Sequence, residues 1–358
     1  MLHAVVMAGG SGTRFWPLSR RTRPKHLIAL TARATLLQQT VERIAPLAAP
    51  ERTWIITGSD HADDLRRQLP DLPGSSIIAE PCRRDTAPCI GLAATLVRQH
   101  DPAATLVVMP ADHAIDSPDQ FRACVAAAAN LVAEDPRRLV TFGVPADRPA
   151  TGYGYIQRGD PVPGPAIPAF AVRRFVEKPR REVAERLVRE GDHYWNSGIF
   201  VWSAATILDE IRAARPELAE SLVRIGAAWS GPARGNVLAQ EYDAIRPISI
   251  DYAVLERSGH VVVMEAAFQW DDVGSWRAIE RLSGRDDAGN TIRGQHVGLD
   301  TRGCVVLADA GQLVASLGVE DLIIVHSGNA TLVAKKDQEE SIKQLVDLIR
   351  QQGHEQFL

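Results

Sequence analysis

The first half of the chain alternates short apolar runs with stretches in which apolar residues recur at helical spacing. Apolar runs at 4–8, 54–56 and 106–109 have the length and composition of buried strands. Residues 36–44 and 86–98 instead carry apolar side chains on one helix face. Repeated strand–helix units predict an α/β fold with a mostly parallel sheet and helices on both faces. In such sheets ligands bind beyond the carboxyl ends of the strands.

The second half continues with longer helical patterns and then changes texture. Residues 204–228 are predicted to be helical, and Asp251 is expected near the start of a further helix. After about residue 284, regularly placed glycines separate short apolar β runs, which predicts a small all-β module. Apolar residues at helical spacing over 338–351 predict a final amphipathic helix. The sequence therefore predicts two domains, 1–283 and 284–358.

Basic residues are concentrated at the amino-terminal end. The 358-residue chain carries a formal net charge of −4, yet its first 41 residues contain six Arg or Lys and no Asp or Glu. Glycines at positions 9, 10 and 12 follow the first apolar run, so a strand is expected to enter a glycine-rich loop. Such a loop lets main-chain N–H groups approach an anion. This end of the chain is therefore predicted to bind a small polyanion.

Two common phosphate-binding loops can be excluded. A dinucleotide-binding loop needs a third glycine where Phe15 stands, and a P-loop needs Gly-Lys-Ser/Thr where this chain has Gly12-Thr13-Arg14. A glycine turn with solvated basic side chains would explain the glycines alone. The longer string that ends in Pro24 and Lys25 is more specific.

That string, GGSGTRFWPLSRRTRPK, resembles the signature loop of the sugar nucleotidyltransferases, which cradles a nucleoside triphosphate. Its segment FWPLSR is most similar to mannose-1-phosphate guanylyltransferases. The resemblance implies a Rossmann-like catalytic domain and a short left-handed β-helix-like module at the carboxyl end. It further implies that Arg14 and Lys25 hold the leaving pyrophosphate. The loop residues that it assigns to the nucleotide are Gly9, Gly10, Ser11, Gly12 and Thr13.

The segment EPCRRDTAP is predicted at a strand-to-helix junction. One interpretation is a capped loop, with Asp85 or Thr86 as the N-cap. The other is base recognition, because a carboxylate can accept both N1–H and N2–H of guanine. The segment resembles the family's nucleotide-contacting stretch, although the family usually has asparagine at the position of Asp85. Glu80 is therefore the better candidate for the base, and both carboxylates are assigned to nucleotide binding.

Two aspartates follow predicted strands in strings that resemble the family's metal-binding loops. Asp112 lies in MPADH and Asp272 in WDDVGSW. A lone aspartate after a strand is usually a turn or cap residue. The resemblance instead implies that these two hold Mg²⁺, a cation that prefers carboxylate and phosphate oxygens. It also assigns Pro110 to the nucleotide, whereas His113 is expected to orient the loop rather than bind the metal.

The strings TGYGYI, FVEKP and WNSGIFVW supply candidates for sugar binding. The first two resemble the family's sugar-binding elements, which implies roles for Gly154, Glu177 and Lys178 in binding the sugar phosphate. A strand is expected to end at Glu177, so Glu177 and Lys178 should point to opposite faces and need not pair. Asn196 is expected to bind sugar hydroxyls both as donor and as acceptor.

The resemblance predicts that GTP and mannose 1-phosphate give GDP-mannose and pyrophosphate, with Mg²⁺ as cofactor. Alternatives are a uridylyl- or thymidylyltransferase for another hexose 1-phosphate, or an inactive regulatory homologue. No nucleic-acid or membrane partner is predicted, and a homodimer is expected. Four cysteines without a Cys-x-x-Cys pair suggest free thiols in the cytoplasm. Many relatives carry an additional isomerase domain, for which this chain is too short, so isomerase activity is not expected.

Overall fold

The computed structural model describes residues 1–10, 12–30 and 32–358, and these form two compact units. The first unit comprises Met1–Gly9, Val41–Ala111 and Ile115–Trp270. The second comprises Gly10–Thr40, Asp112–Ala114 and Asp271–Leu358. The signature loop therefore groups with the carboxyl-terminal residues. The domain boundary at residue 284 stays a prediction from the sequence.

The strands described between residues 2 and 271 include those of the sheet of the first unit and two short strands that pair with each other. Their bounds are β1 (Leu2–Ala8), β2 (Thr53–Gly58), β3 (Ile77–Glu80), β4 (Thr105–Pro110), β5 (Ala114–Ile115), β6 (Leu139–Pro145), β7 (Tyr155–Pro161), β8 (Ala169–Val176), β9 (His193–Ser203), β10 (Val261–Glu265) and β11 (Trp270–Asp271). In the described part of the chain, nine of them form one sheet in the order β3-β2-β1-β4-β9-β6-β10-β8-β7.

The sheet has a parallel part and an antiparallel part. Strand β1 is parallel to β2 and β4, β2 to β3, and β6 to β10. Strand β9 is antiparallel to β4, β6 and β7, and β8 is antiparallel to β7 and β10. Leu106, Val107 and Val108 of β4 are fully buried, as expected for a strand covered on both faces. The predicted Rossmann-like α/β class is confirmed, with a sheet that is mixed.

The helices of the chain have bounds α1 (Leu36–Ile44), α2 (Ala62–Gln68), α3 (Thr86–His100), α4 (Pro118–Glu134), α5 (Arg181–Glu190), α6 (Ala204–Ala214), α7 (Pro216–Ala228), α8 (Arg234–Ala244), α9 (Trp276–Ser283) and α10 (Ile342–Gln351). The stretch 204–228, predicted to be helical, forms two helices with a break at Arg215. Arg215 has φ −143° and ψ 74°, and the residue before a proline avoids helical angles. Pro216 then begins α7.

The carboxyl-terminal strands lie in the second unit: β12 (Thr291–Arg293), β13 (Gln295–Arg302), β14 (Val305–Ala308), β15 (Leu313–Glu320), β16 (Leu322–Ser327) and β17 (Ala330–Lys335). Strands β12, β14 and β16 are parallel, β17 is antiparallel to β16, and β13 is parallel to β15.

Equivalent corners of this module repeat the same backbone conformation. Asp300 and Gly318 have φ of 52° and 62°, and Gly303 and Asp321 have φ of 59° and 52°. A Cβ at Gly303 would lie 2.6 Å from Oδ1 of Asp321, so glycine is needed there. Repeated parallel strands and left-handed corners confirm the predicted β-helix-like module. The left-handed sense of its coil stays a prediction.

The predicted final helix begins later than residue 338. A short 3₁₀ segment at Lys336–Ser341 precedes α10, which begins at Ile342. Ile342 and Val346 are buried in an apolar cluster that also contains Phe15 and Trp16 of the signature loop. The apolar face that the sequence showed on this helix therefore belongs to the core of the second unit.

No helix in the described part of the chain is both long enough and apolar enough to cross a membrane.

Candidate active site

Lys25 is the centre of a cluster in the second unit. Its side chain is 7% exposed, and its Nζ lies 2.6 Å from Oδ2 of Asp112. The same ammonium donates to the main-chain oxygens of Asp272, at 2.8 Å, and Val273, at 3.1 Å. An ammonium has three hydrogens, and these three contacts use all of them. Lys25 therefore brings together the segments that carry the two predicted metal-binding aspartates.

Asp112 is held in its ionised form. Burial disfavours its charge, but the Lys25 ammonium, followed by His113, outweighs burial and holds the pKa of Asp112 below its ordinary value. A carboxylate that stays charged in a partly buried position can bind a cation. The contact with Lys25 engages Oδ2 of this carboxylate.

The two neighbouring aspartates of WDDVGSW have different surroundings. Oδ1 of Asp271 accepts from the N–H of Val273 at 2.8 Å, and its Oδ2 accepts from Nε of Arg281 at 2.7 Å. Asp271 is also buried, so it stabilises the loop. Asp272 is more exposed, and its Oδ1 accepts from the N–H of Gly274 at 3.1 Å. The predicted role of Asp272 as a metal ligand stays a prediction.

Gly274 is required by the same loop. A Cβ there would lie 2.6 Å from Oδ2 of Asp272, so a larger residue would displace the carboxylate. Val273 between them has φ 48°, a conformation that a β-branched residue rarely adopts. Backbone strain of this kind is concentrated at functional sites.

Gly12 and Gly10 of the signature loop lie close to Lys25 and Asp112, respectively. Gly12 has φ 61°, and a Cβ there would lie 2.4 Å from Cβ of Lys25. A Cβ on Gly10 would lie 3.9 Å from Oδ2 of Asp112. Thr13 begins a one-turn helix, Thr13–Phe15. Gly12 is thus needed for the packing of Lys25, while the predicted nucleotide contacts of Gly10, Gly12 and Thr13 stay predictions.

Ser11 and Gly9 are the two other loop residues with a predicted nucleotide contact. Ser11 was predicted to bind nucleotide, but it lies outside the described residues. Gly9 belongs to the first unit, and apart from its chain neighbours no atom of the described residues lies within 4 Å of a Cβ built there. The open space beside Gly9 is compatible with its predicted role in nucleotide binding.

Arg14 is a partly exposed cation of this loop. Its side chain is 43% exposed, and Nη1 lies 3.1 Å from Oε1 of Glu340, whose side chain is 74% exposed. Exposed ion pairs contribute about 0–1 kcal/mol, so little free energy is needed to release Arg14 toward an anion. Its predicted contact with pyrophosphate stays a prediction.

In the first unit, Glu80 is a buried carboxyl group at the end of β3. Tyr242 donates its hydroxyl to Oε1 of Glu80 at 2.9 Å. Burial raises the pKa of Glu80 to about 7, although the Tyr242 hydroxyl and the charge of Arg83 act in the opposite direction. Glu80 therefore titrates near neutral pH. The sequence did not indicate Tyr242, which lies 162 positions further along the chain.

Asp85 has the capping geometry that was one of its two interpretations. Its Oδ1 accepts from the N–H of Thr86 at 2.7 Å, at the start of α3, and its φ is 70°. Thr86 in turn accepts from the N–H of Ile250 at 2.8 Å. Pro110 is the last residue of β4 and is half-buried. The predicted nucleotide contacts of Asp85 and Pro110 stay predictions.

The predicted sugar-binding residues lie together in the first unit. Nζ of Lys178 lies 3.0 Å from Oε1 of Glu177, so the expectation that these side chains need not pair is wrong. Strand β8 ends at Val176, and Lys178 has φ 44°, so the alternation of strand side chains no longer applies. A Cβ on Gly154 would lie 2.5 Å from Oε2 of Glu177. The main-chain oxygen of Gly154 accepts from Asn196 N–H at 2.8 Å.

Asp251 is a member of this group that the sequence reasoning missed. Its Oδ1 accepts from Nδ2 of Asn196 at 2.9 Å. Burial, and then the charge of Glu177, raise the pKa of Asp251 to about 7. The sequence placed it near a helix start, where an aspartate is ordinary. Only the fold brings it to Asn196, which is 55 positions away.

Comparisons with known proteins identify the family of the chain. A protein-family model described as Nucleotidyl transferase matches residues 3–288, and one described as MannoseP isomerase/GMP-like beta-helix domain matches residues 294–349. "Mannose-1-phosphate guanylyltransferase ManC" of Salmonella typhimurium is 39% identical over 371 residues, which cover 100% of this chain and 75% of that protein. The mannose-1-phosphate guanylyltransferase of Klebsiella pneumoniae is 36% identical over 360 residues, with coverage of 100% and 76%.

A solved structure gives the same result. The crystal structure described as mannose-1-phosphate geranyltransferase from Thermus thermophilus has a TM-score of 0.87 and 37% identity. The similarity covers 98% of this chain and 99% of that chain. The family models and the aligned relatives thus cover both the nucleotidyl transferase part of the chain and the β-helix-like module. The chain belongs to the nucleotidyl transferase family and, within it, to the mannose-1-phosphate guanylyltransferases.

Proposed function

We propose that this chain makes GDP-mannose and pyrophosphate from GTP and mannose 1-phosphate. The observation that carries the proposal is the contact of Lys25 with both Asp112 and the Asp272 main chain. Two aspartate-bearing segments held by one buried cation, beside a glycine-rich loop, are suited to a metal-bound triphosphate. The named relatives supply the substrate pair.

The reaction is a direct displacement at phosphorus. A phosphate oxygen of mannose 1-phosphate attacks the α-phosphorus of GTP in line, a new P–O bond forms, and the bond from the α-phosphorus to the pyrophosphate oxygen breaks. The sugar phosphate is itself the nucleophile, so no protein nucleophile is needed. The protein contributes by positioning the reactants and neutralising charge.

The residues around Lys25 suit a hard divalent cation. Asp112 and Asp272 are both carboxylates, and Mg²⁺ usually takes one or two carboxylates with phosphate oxygens and water. We propose that these two hold Mg²⁺, which when bound neutralises charge on the reacting phosphates. Lys25 keeps Asp112 ionised and fixes the main chain at Asp272. Arg14 is proposed to hold the pyrophosphate, together with the loop amides at Gly9, Gly10 and Gly12.

Lys25 has a second proposed role, as a charge that favours the pyrophosphate leaving group. A direct contact would require one of its three hydrogen bonds to be exchanged for a phosphate oxygen. The contacts found support a positioning role for Lys25 more strongly. Its positive charge still acts on a nearby anion, because electrostatic attraction is strong where water is excluded.

Residues of the first unit are proposed to select the base and the sugar. Glu80, when ionised, is proposed to accept N1–H and N2–H of guanine, with Asp85 and Pro110 beside the nucleotide. Lys178 is proposed to bind the phosphate of mannose 1-phosphate, and Glu177 and Asn196 its hydroxyls. The exposed ammonium of Lys178 supports this assignment, because its side chain is 62% exposed.

Two alternatives remain from the sequence. A hexose 1-phosphate uridylyl- or thymidylyltransferase would use the same phosphate chemistry with another base. An inactive homologue is disfavoured by the intact contacts among Lys25, Asp112 and Asp272. We also propose a cytoplasmic location, which fits four reduced thiols.

A homodimer is proposed as the assembly. Apolar side chains on β13 and β15 support it, since Val297, Leu299, Leu313 and Leu317 are 61–70% exposed. Exposed apolar patches commonly mark interaction surfaces. Light scattering of the purified chain would test this, and a mass of one chain at micromolar concentration would contradict it.

The proposed reaction can be tested with mannose 1-phosphate whose phosphate carries ¹⁸O. Purified protein, GTP and Mg²⁺ should give GDP-mannose and pyrophosphate in equal amounts, with the label in the sugar-side phosphate and the bridging oxygen of the GDP-mannose. Labelled free phosphate, or a guanylylated protein that forms without the sugar phosphate, would contradict direct displacement.

A further inference from the structure

The side-chain amide of Asn196 is almost fully used within the protein. Its Oδ1 lies 3.0 Å from Oγ1 of Thr141 and accepts from the N–H of Gly198 at 3.2 Å. Because a main-chain N–H must face an acceptor, this contact fixes which end of the amide is oxygen. Nδ2 donates one hydrogen to Asp251 and has a second hydrogen. Asn196 can therefore offer a substrate the second hydrogen of Nδ2 as a donor, and its expected role as an acceptor stays a prediction.

The neighbouring Glu177 is also largely engaged. Its Oε1 pairs with Nζ of Lys178 at 3.0 Å, and its Oε2 fills the space where Gly154 lacks a side chain. A hexose hydroxyl donates as well as accepts, so its recognition needs an acceptor. Within the described residues, the only side-chain hydrogen bond to Asp251 ends on Oδ1. Together with Oε2 of Glu177, Oδ2 of Asp251 is a carboxylate oxygen of this group that can accept from a substrate hydroxyl.

Asp251 lies where several features of functional sites coincide. It begins a π-helix, Asp251–Leu255, a rare element that is frequent at functional sites. Lys178 and Asp85, whose charges act on Asp251, both have positive φ, of 44° and 70°. As a whole residue, Asp251 is half-buried. Burial and the charge of Glu177 make the ionised form of this carboxyl group unfavourable and raise its pKa, which is typical of a binding or catalytic position.

We propose that Asp251 binds the sugar: its Oδ2 accepts a hydroxyl of the hexose 1-phosphate, and the second Nδ2 hydrogen of Asn196 donates to the same or the adjacent hydroxyl. This inference rests on the proposed function, since it names a further binding residue for the sugar substrate. The Asn196–Asp251 pair presents one donor and one acceptor on side chains that are joined at 2.9 Å, which suits neighbouring hydroxyls on a sugar ring.

A purely structural role would make different demands on Asp251. If it only held Asn196 in place, any acceptor of the same shape would serve. Asparagine at this position can still accept from Nδ2 of Asn196, but it carries no charge. Asp251→Asn therefore removes the charged sugar acceptor but keeps the contact with Asn196. Asp251→Ala removes both the acceptor and that contact.

The test measures KM and kcat for both substrates in Asp251→Asn and Asp251→Ala, with Asp209→Asn as an exposed control. Losing a hydrogen bond to a charged group should raise KM for mannose 1-phosphate about tenfold or more in Asp251→Asn, with KM for GTP unchanged. Thermal stability of Asp251→Asn at pH 8 should be equal to or above that of the parent, because a buried charge beside Glu177 is removed. An unchanged KM for the sugar phosphate would overturn the proposal.

Deoxy analogues of mannose 1-phosphate identify the contact itself. The parent protein should lose affinity for the analogue that lacks the contacted hydroxyl, and Asp251→Asn should show no additional loss with that analogue. Additive losses for every analogue would overturn the contact. If the parent protein turned over a different hexose 1-phosphate, the proposal of mannose 1-phosphate as substrate would be wrong. Comparing the parent with Asp251→Asn on that sugar phosphate would then test Asp251. If the parent bound no hexose 1-phosphate at all, both proposals would fall.

Discussion

The ammonium of Lys25 is shared between the carboxylate of Asp112 and the main-chain oxygen of Asp272, at 2.6 and 2.8 Å. Removing it should leave Asp112 partly buried without a counter-charge. Lys25→Met is therefore expected to lower the free energy of unfolding by about 2–4 kcal/mol, toward the lower end of values for buried pairs because Asp112 keeps some exposure. Turnover should also fall. Thermal melting beside the exposed control Arg21→Ala checks this, and a melting temperature equal to the control's would contradict it.

Replacing Arg14, unlike replacing Lys25, should lower turnover and leave stability nearly unchanged. Its side chain pairs with the exposed Glu340, so Arg14→Ala should change stability by less than about 1 kcal/mol. Turnover should fall about 100-fold or more if Arg14 stabilises the leaving pyrophosphate in the transition state. Glu340→Gln is the matched control, because it removes the same ion pair without removing the cation. Near-parental turnover in Arg14→Ala would exclude the proposed contact.

The metal proposal predicts different effects of replacing the adjacent residues Asp271 and Asp272. Asp272→Asn and Asp112→Asn should abolish most Mg²⁺-dependent turnover, and chelation of the metal should do the same to the parent protein. Asp271→Asn should mainly lower stability, because Asp271 holds Val273 and Arg281. A Mg²⁺ titration of turnover in each variant checks this.

A second group of possible ligands must be controlled for in that experiment. Ligand atoms of Glu190, Asp192 and His193 lie within 4.8 Å of one another. His193→Gln should leave the Mg²⁺ dependence of turnover unchanged. If it altered that dependence while Asp272→Asn did not, the assignment of the catalytic metal to Asp112 and Asp272 would be wrong.

Glu80 predicts a specific pH dependence. Its pKa is raised from 4.5 to about 7 by burial, so the folded state binds this proton more tightly than the unfolded state. Stability from this group is therefore highest below pH 4.5 and falls as pH rises toward 7, by at most about 3 kcal/mol. Glu80→Gln should be more stable than the parent at pH 8 and should lose that advantage by pH 5.

Tyr242 provides a separate readout of the same group. Its hydroxyl lowers the pKa of Glu80, so Tyr242→Phe should raise that pKa. The ionised form of Glu80 is proposed to bind guanine. As the pH is lowered, KM for GTP should therefore begin to rise at a higher pH in Tyr242→Phe than in the parent. A pH profile of KM that matches the parent would remove Glu80 from base recognition.

The sequence predicted the strands and the loops at their ends because burial on both faces leaves continuous apolar runs. The different contacts of the adjacent aspartates are visible only in the structure, where Asp271 is engaged by Val273 and Arg281. Local spacing could not show that Lys25 reaches Asp272, which lies 247 positions away. Contacts of that kind depend on the complete fold.

Other errors came from applying a local rule beyond its range. Strand alternation was extended to Glu177 and Lys178, but β8 ends at Val176 and the backbone turns at Lys178. Helical spacing was extended through Arg215, where Pro216 starts a new helix. Asp251 was missed because an aspartate at a helix start has an ordinary explanation, and its contact with Asn196 is tertiary.

Substrate selection tests the central claim most directly. Pyrophosphate release should be measured for GTP, ATP, UTP and dTTP, each with mannose 1-phosphate, glucose 1-phosphate and galactose 1-phosphate, at saturating Mg²⁺. The account predicts the highest kcat/KM for GTP with mannose 1-phosphate, and about 1–3 kcal/mol of discrimination against the other bases, by analogy with bidentate base contacts in nucleic acids. Equal or higher kcat/KM for UTP or dTTP with a glucose phosphate would contradict it.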